Sequence, residues 1–88
     1  MYVPIRFVRP LPDYRLLLAF SSGEWKVFDM KPYLEADAFA ELRDKFLFKT
    51  VCLGLETVEW FNGADLSHQT LYENSTQVQR DSDGEYPT

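Results

Sequence analysis

The sequence predicts a single α+β domain, in which an antiparallel sheet packs against one main helix and a short helix follows near the C-terminus. Two observations predict this class. Two aromatic-rich β segments are each organised around a turn, at 14–29 and 58–67. Between them, apolar residues recur at three- and four-residue steps from Phe39 to Phe46, which is the spacing of an amphipathic helix. The sheet should contain an N-terminal β-hairpin and later strands.

The composition limits the class of protein that the chain can represent. Its 88 residues allow one domain, and an apolar fraction of 45% is enough for a small core. The single cysteine cannot form an intramolecular disulfide, and the N-terminus lacks the apolar stretch of a secretory signal. No apolar run approaches the ~20 residues that span a bilayer. We therefore expect a soluble, cytoplasmic protein that does not enter a membrane.

The net charge of −5 points away from nucleic acid as a partner. Binding to phosphate depends on Lys and Arg that release counterions, whereas the nine basic residues here are scattered among fourteen acidic ones. The field of an acidic protein instead favours encounters with a basic partner. We therefore expect a protein partner, and no binding to nucleic acid.

A first strand is predicted near the N-terminus. Val3, Ile5 and Phe7 occupy alternate positions, which is the period of a β-strand. Pro4 cannot donate to a ladder hydrogen bond, so the strand should lie at a sheet edge. The proline-rich residues 10–13 are expected to end it and to form a loop.

The β-hairpin is the firmest structural prediction. Its strands should cover 14–20 and 25–30, on either side of a turn at Ser22-Gly23. The predicted register places three pairs of residues opposite one another: Phe20 with Trp25, Leu18 with Val27, and Leu16 with Asp29.

The main helix is predicted to follow the hairpin. Asp37 is suited to cap a helix that begins at Ala38, and the apolar stripe of this helix would lie on the sheet. The large residues at 46–48 are too crowded for one helical stripe, so we expect a bend near Asp44.

Two further strands are predicted at 50–55 and 57–61, the second ended by the turn dipeptide Asn62-Gly63. Asp65 or Ser67 would then cap a short helix at 68–74.

The domain is expected to cover residues 1–74. Residues 75–88 hold few apolar groups, too few to offset the entropy of ordering them, so they are predicted to be a flexible polar tail.

Separate segments of the chain carry a characteristic set of residues. They are Tyr14-x-Leu16-x-x-x-Phe20-x-x-Gly23-Glu24, Asp29, Phe39-x-x-Leu42-x-Asp44, Phe48-x-x-Val51, Trp60-x-Asn62-Gly63-x-Asp65-Leu66 and Leu71-Tyr72. With these, residues 2–73 resemble the small bacterial family known as domain of unknown function 2442.

The resemblance implies a compact α+β domain with no assigned activity. Members often lie beside small toxin-like genes, and some carry a helix-turn-helix domain after this one. This implies an antitoxin-like or regulatory interaction module. The present chain departs from the fused members, because nothing after Tyr72 would build a DNA-binding helical pair.

The polar residues are interpreted as structural. Asp65, His68 and Glu73 are the nearest approach to a site, since His titrates near neutrality and carboxylates orient it. A metal ion needs three or four ligands, so we interpret these residues as a capped helix start with exposed side chains. Cys52 lies among apolar residues and is expected to be a buried thiol. Asp29 is expected to accept backbone N–H bonds.

Four residues form the candidate interaction surface: Trp25, Trp60, Asp65 and Tyr72. Aromatic residues dominate interface hot spots, although both tryptophans also suit the core of a small domain. No catalytic, cofactor or metal site is predicted.

We therefore expect a non-catalytic protein-interaction module, an antitoxin-like or regulatory partner of a small basic protein. Whether it forms a homodimer stays open. One alternative is a small ligand-binding or enzymatic domain with a pocket between sheet and helix, using Asp29, Asp65 or His68. A further alternative is a transcriptional regulator.

Overall fold

Short antiparallel strands and short helices make up the described part of the chain. The computed structural model describes residues 4–54 and 57–78. The elements in chain order are β1 (Ile5–Leu11), β2 (Arg15–Phe20), β3 (Trp25–Asp29), a first 3₁₀ helix (Lys31–Tyr33), a second 3₁₀ helix (Asp37–Arg43), α1 (Lys45–Phe48), β4 (Cys52–Leu53), β5 (Val58–Glu59), β6 (Asp65–Leu66), α2 (His68–Asn74) and β7 (Thr76–Val78). The predicted α+β class is confirmed.

The strands form two antiparallel sheets within the described residues. The large sheet has the order β1-β2-β3-β7, and the small sheet has the order β4-β5-β6. As predicted, β1 lies at an edge. It runs on through Pro10, which was expected to belong to a loop, because an edge strand tolerates a residue that lacks an N–H donor. Val3 lies outside the described residues.

The large sheet also includes residues that were predicted to belong to the flexible tail. Trp25, Lys26 and Val27 of β3 pair with β7, so residues 76–78 form part of the domain. Apolar content alone did not indicate this strand, because main-chain ladder bonds are independent of side-chain type. Residues 79–88, the rest of the predicted tail, lie outside the described residues.

The hairpin of β2 and β3 forms as predicted, but its predicted register is wrong by one residue. Gly23 donates to the carbonyl of Phe20 at 2.9 Å, and the Phe20 N–H donates to the carbonyl of Glu24 at 3.0 Å. The loop therefore has three residues, with Gly23 at φ +93° where a type I turn ends in a bulge. Trp25 consequently faces Ala19, not Phe20.

This register sorts the side chains between the two faces of the large sheet. Phe20 lies on the inner face, whereas Trp25 lies on the outer face, where its ring centroid is 5.7 Å from that of Phe7. Leu17 is fully buried on the outer face and is not part of the main core cluster. Both faces of the sheet therefore carry buried apolar surface.

The main core lies between the inner face of the large sheet, the helices and the small sheet. Its buried members are Leu16, Leu18, Phe20, Phe28, Met30, Leu34, Leu42, Phe48, Val51, Val58, Trp60, Leu66 and Leu71. Since every element after β1 except β7 contributes a residue or a flanking residue, the core joins both sheets into one unit.

The predicted main helix is divided in two. Its first half is the second 3₁₀ helix, and Asp44, with ψ 116°, interrupts the helical backbone before α1. The predicted bend near Asp44 is confirmed, and the Asp44 carboxylate accepts the Phe46 N–H at 2.9 Å as the cap of α1. Asp37 makes no capping bond, because Ala36 occupies the cap position of the 3₁₀ helix. The cap of α2 is Ser67, which accepts the Thr70 N–H at 3.1 Å.

None of the helices within residues 4–54 and 57–78 is both long enough and apolar enough to cross a membrane.

Candidate functional site

Tyr72 fastens α2 to the large sheet. Its ring packs edge-on against Phe20, with centroids 5.0 Å apart, and its hydroxyl donates to the Glu24 carboxylate at 2.7 Å. Lys26 lies 4.0 Å above the ring centroid and donates to the Tyr72 carbonyl at 2.7 Å. The hydroxyl lowers the pKa of Glu24, and the same bond raises the pKa of Tyr72. Tyr72 thus has a structural role, because its contacts join α2 to β2, to β3 and to the loop between them.

The two tryptophans have different positions. Trp60 is 2% exposed, and its indole N–H donates to the Phe48 carbonyl at 3.0 Å. It belongs to the core, so of the two interpretations that its sequence context allowed, the structure favours core over surface. Trp25 is half-buried on the outer face of the large sheet, and Asp65 is exposed on β6, opposite Glu59.

The predicted polar candidates are distributed over different elements. Asp29 ends β3, accepts the Lys31 N–H at 2.9 Å and lies 3.4 Å from the Lys31 ammonium. Asp65 lies in the small sheet, and the half-buried His68 begins α2. Among residues 4–54 and 57–78, no group of three or more His, Cys, Asp and Glu side chains is placed to hold a metal ion.

The predicted burial of Cys52 is wrong. Its side chain is exposed, as is that of Leu53, the other residue of β4. β4 lies at the edge of the small sheet, and the neighbouring Val51, 9% exposed, supplies the inward contact that the sequence pattern assigned to the whole run.

A cavity of about 570 Å³ lies between the β1–β2 loop and α1. Its lining residues are Pro10, Leu11, Pro12, Asp13, Tyr14, Lys45, Phe48 and Lys49. The alternative hypothesis placed a pocket between sheet and helix, whereas this cavity lies where the end of β1 and the following loop face α1. The residues predicted for that pocket, Asp29, Asp65 and His68, do not line it.

Two phenylalanines are the most exposed of the large hydrophobic side chains among the described residues. Phe46 is 82% exposed and Phe61 is 87% exposed. Phe46 was predicted to pack on the sheet, but the break at Asp44 resets the helical phase, so Phe48 is buried in its place. Trp60 is buried, and in the strand predicted at 57–61 the next side chain would point the opposite way. In the structure Phe61 lies in the turn after β5, where the Gly63 N–H donates to the Trp60 carbonyl at 2.9 Å. The aromatic pair Trp60-Phe61 was therefore a signal for one exposed ring.

Hydrogen bonds hold the segments that carry these two rings together. The Phe61 N–H donates to the Thr50 hydroxyl at 3.0 Å, just beyond α1. The Asn62 amide donates to the Glu41 carboxylate of the second 3₁₀ helix at 3.0 Å. We call Phe46, Phe61, Glu41, Asp44 and Asn62 the Phe46–Phe61 surface. It combines two exposed rings with two exposed carboxylates.

Comparison with known proteins gives one finding. Residues 5–77 match the model of a family described as protein of unknown function (DUF2442). A search of curated proteins and a search of solved structures each found no match. The match covers most of the chain and includes every motif on which the resemblance rested, so the chain belongs to the DUF2442 family of proteins of unknown function.

Proposed function

We propose that this domain is a non-catalytic interaction module that binds a small basic protein through the Phe46–Phe61 surface. The observation that carries the proposal is the exposure of two phenylalanines, at 82% and 87%, on segments that hydrogen bonds tie to each other. Phenylalanine is usually buried, so two exposed phenylalanines on segments that are bonded to each other support a contact site there.

The energy available at this surface is enough to matter for binding. Burying one phenylalanine side chain contributes about 1.5–3 kcal/mol, so the two together contribute roughly 3–6 kcal/mol. A micromolar complex corresponds to about 8 kcal/mol. Two aromatic anchors therefore account for a large share of a moderate affinity, as is common for interface hot spots.

The surface is also ordered in advance of binding. Asp44 caps α1 beside Phe46, and the Thr50 hydroxyl holds Phe61 through its N–H. Thr50 itself donates to the Leu47 carbonyl at 2.6 Å, which fixes the end of α1. Because these segments need little ordering when a partner arrives, less of the interaction energy is lost to entropy.

Charge favours a basic partner. Glu41 and Asp44 are exposed on the segments that carry or bond to the two rings. Lys45 and Lys49 are also exposed there, so the preference for a basic partner rests on the net charge of −5 of the whole chain. Such a field raises the rate of encounter with a positively charged protein and gives a rate that falls with added salt. The antitoxin-like role suggested by the resemblance is of this kind, with the partner encoded beside the gene.

The test uses each small basic protein encoded next to this gene. Purified partner and domain are titrated by isothermal calorimetry at two salt concentrations. We expect Phe46→Ser with Phe61→Ser to weaken binding roughly 100-fold to 10,000-fold. The matched control is Leu53→Ser, which changes an exposed apolar residue, 43% exposed, on β4.

Two results would contradict the proposal. Unchanged affinity of the Phe46 and Phe61 double variant, with a melting temperature like that of the native chain, would remove this surface from the interaction. If none of the small basic proteins encoded next to the gene bound the domain, a small basic protein would be excluded as its partner as well.

A further inference from the structure

We infer that the cavity between the β1–β2 loop and α1 is a binding site for a small organic anion with an apolar body. The anionic group would lie between Lys45 and Lys49, and the apolar body would lie on Leu11 and Phe48. This inference goes beyond the proposed interaction surface and involves none of its residues.

The size and floor of the cavity suit a small molecule. Its volume of about 570 Å³ lies within the range of ligand sites, which is roughly 300–1,000 Å³. Leu11 and Phe48, which are 7% and 3% exposed, belong to the floor. The Tyr14 ring packs against Phe48, with centroids 5.4 Å apart, and adds an aromatic wall. An apolar floor with few polar groups is typical of such sites.

The charge at the cavity is positive. Lys45 and Lys49 are four residues apart, and the Lys49 N–H donates to the Lys45 carbonyl at 3.2 Å, so their side chains leave the same side of the chain. Neither ammonium pairs with a carboxylate among residues 4–54 and 57–78. Two like charges one helical turn apart are mutually unfavourable, and an anion between them would relieve the repulsion.

The one acidic residue of the lining is already neutralised. Asp13 accepts from the Lys31 ammonium at 2.7 Å, and this bond lowers the pKa of Asp13 and raises that of Lys31. Asp13 is therefore paired as a carboxylate with a cation that does not line the cavity. The two remaining lysines set the preference for an anion.

The wall formed by the β1–β2 loop is held in a costly backbone conformation. Asp13 and Tyr14 both have positive φ, at 67° and 57°, which costs about 1–2 kcal/mol for each residue that is not glycine. The Met30 N–H donates to the Tyr14 carbonyl at 2.9 Å, and the Tyr14 hydroxyl donates to the Arg43 carbonyl. Strain that neighbouring contacts maintain in this way clusters at binding sites. The cavity is thus formed before a ligand enters.

The test uses 2-naphthoate as the probe, followed by amide chemical shifts of the ¹⁵N-labelled full chain. We expect saturable shifts at residues 10–14 and 45–49. The neutral analogue 2-naphthylmethanol should bind more weakly, because it lacks the charge that the lysines recognise. Lys45→Gln with Lys49→Gln should weaken naphthoate binding roughly 5-fold to 20-fold. Arg6→Gln, which removes an exposed cation on β1, is the matched control and should leave it unchanged.

Three results would overturn the inference. The first is the absence of saturable shifts at residues 10–14 and 45–49 when naphthoate is added. The second is naphthoate binding by the Lys45→Gln, Lys49→Gln variant that is as tight as binding by the native chain. The third is binding of inorganic phosphate that is as tight as binding of naphthoate, which would show that the apolar floor contributes nothing to the affinity. Phe46→Ser should leave naphthoate binding intact, so this test is independent of the one for the interaction surface.

Discussion

At the scale of single residues, Tyr72 joins α2 to β2 by its ring and to the β2–β3 loop by its hydroxyl. Tyr72→Phe keeps the ring and removes the bond to Glu24. Because this bond is the largest cause of the lowered pKa of Glu24, we expect that pKa to rise toward its ordinary 4.5. The measurement is an NMR titration of the side-chain carboxyl. Ser22→Ala removes the second cause and should give a smaller rise; the reverse order of the two effects would contradict the assignment.

Trp60 provides a second prediction at this scale. Trp60→Phe removes the indole N–H that satisfies the Phe48 carbonyl in the core and leaves part of the indole volume empty. We expect the free energy of unfolding to fall by about 2–4 kcal/mol, measured by urea denaturation. Trp25→Phe, at a half-buried site, is the control and should cost less. If both variants lowered the free energy of unfolding equally, the buried position of Trp60 would add nothing to stability.

At the scale of elements, the β2–β3 loop depends on Gly23. Gly23→Ala should lower the free energy of unfolding by about 1–2 kcal/mol, because φ is +93° there. A Cβ at this position would meet no atom within 4 Å, so the cost would come from the backbone alone. Thermal and urea unfolding would measure it. Gly23→Asn should cost less, since Asn tolerates positive φ; an equal cost would point to a cause other than the backbone.

Local sequence patterns predicted some of the elements and missed details of others. The hairpin, the bend near Asp44 and the helix at 68–74 follow from local spacing and capping, and all three are present. The hairpin register was missed because two-, three- and four-residue loops all suit Ser22-Gly23, and main-chain bonds decide between them. The exposure of Phe46 was missed because a periodic stripe assumes one unbroken helix.

The candidate sites were less accessible from sequence than the fold. The cavity unites residues 10–14 with Lys45, Phe48 and Lys49, and no local pattern brings segments so far apart in the chain together. The exposed Phe61 was implied by its buried neighbour Trp60, although only the structure shows which of the two rings faces inward. Long-range contacts, and not residue types, define both places.

At the scale of the whole molecule, stability should depend on pH in acid. The pKa values of Asp13 and Glu24 are lowered in the folded chain, from 3.8 and 4.5. The folded state therefore holds fewer protons than the unfolded chain, so the stabilisation is present above about pH 4.5 and is lost as pH falls through the folded pKa values. Urea unfolding between pH 7 and pH 3 would measure the decline.

A variant pair isolates the contribution of these two carboxylates. In the double variant Asp13→Asn with Glu24→Gln, the free energy of unfolding should fall less steeply with pH below about pH 4.5, because the two titrating groups are gone. Asp37→Asn, which removes an exposed carboxylate outside both contacts, is the control. If the double variant lost stability with acid as steeply as the native chain, other groups would have to explain the decline.

The pairing of β3 with β7 has a consequence for how this chain is made. Both sheets are otherwise assembled from neighbours along the chain, but β7 joins last, beside a strand synthesised near the beginning. During synthesis β3 is made before β7, so the outer margin of β3 has no strand partner until β7 has been made and has left the ribosome. A chaperone that covers this margin would protect the new chain until β7 pairs with β3.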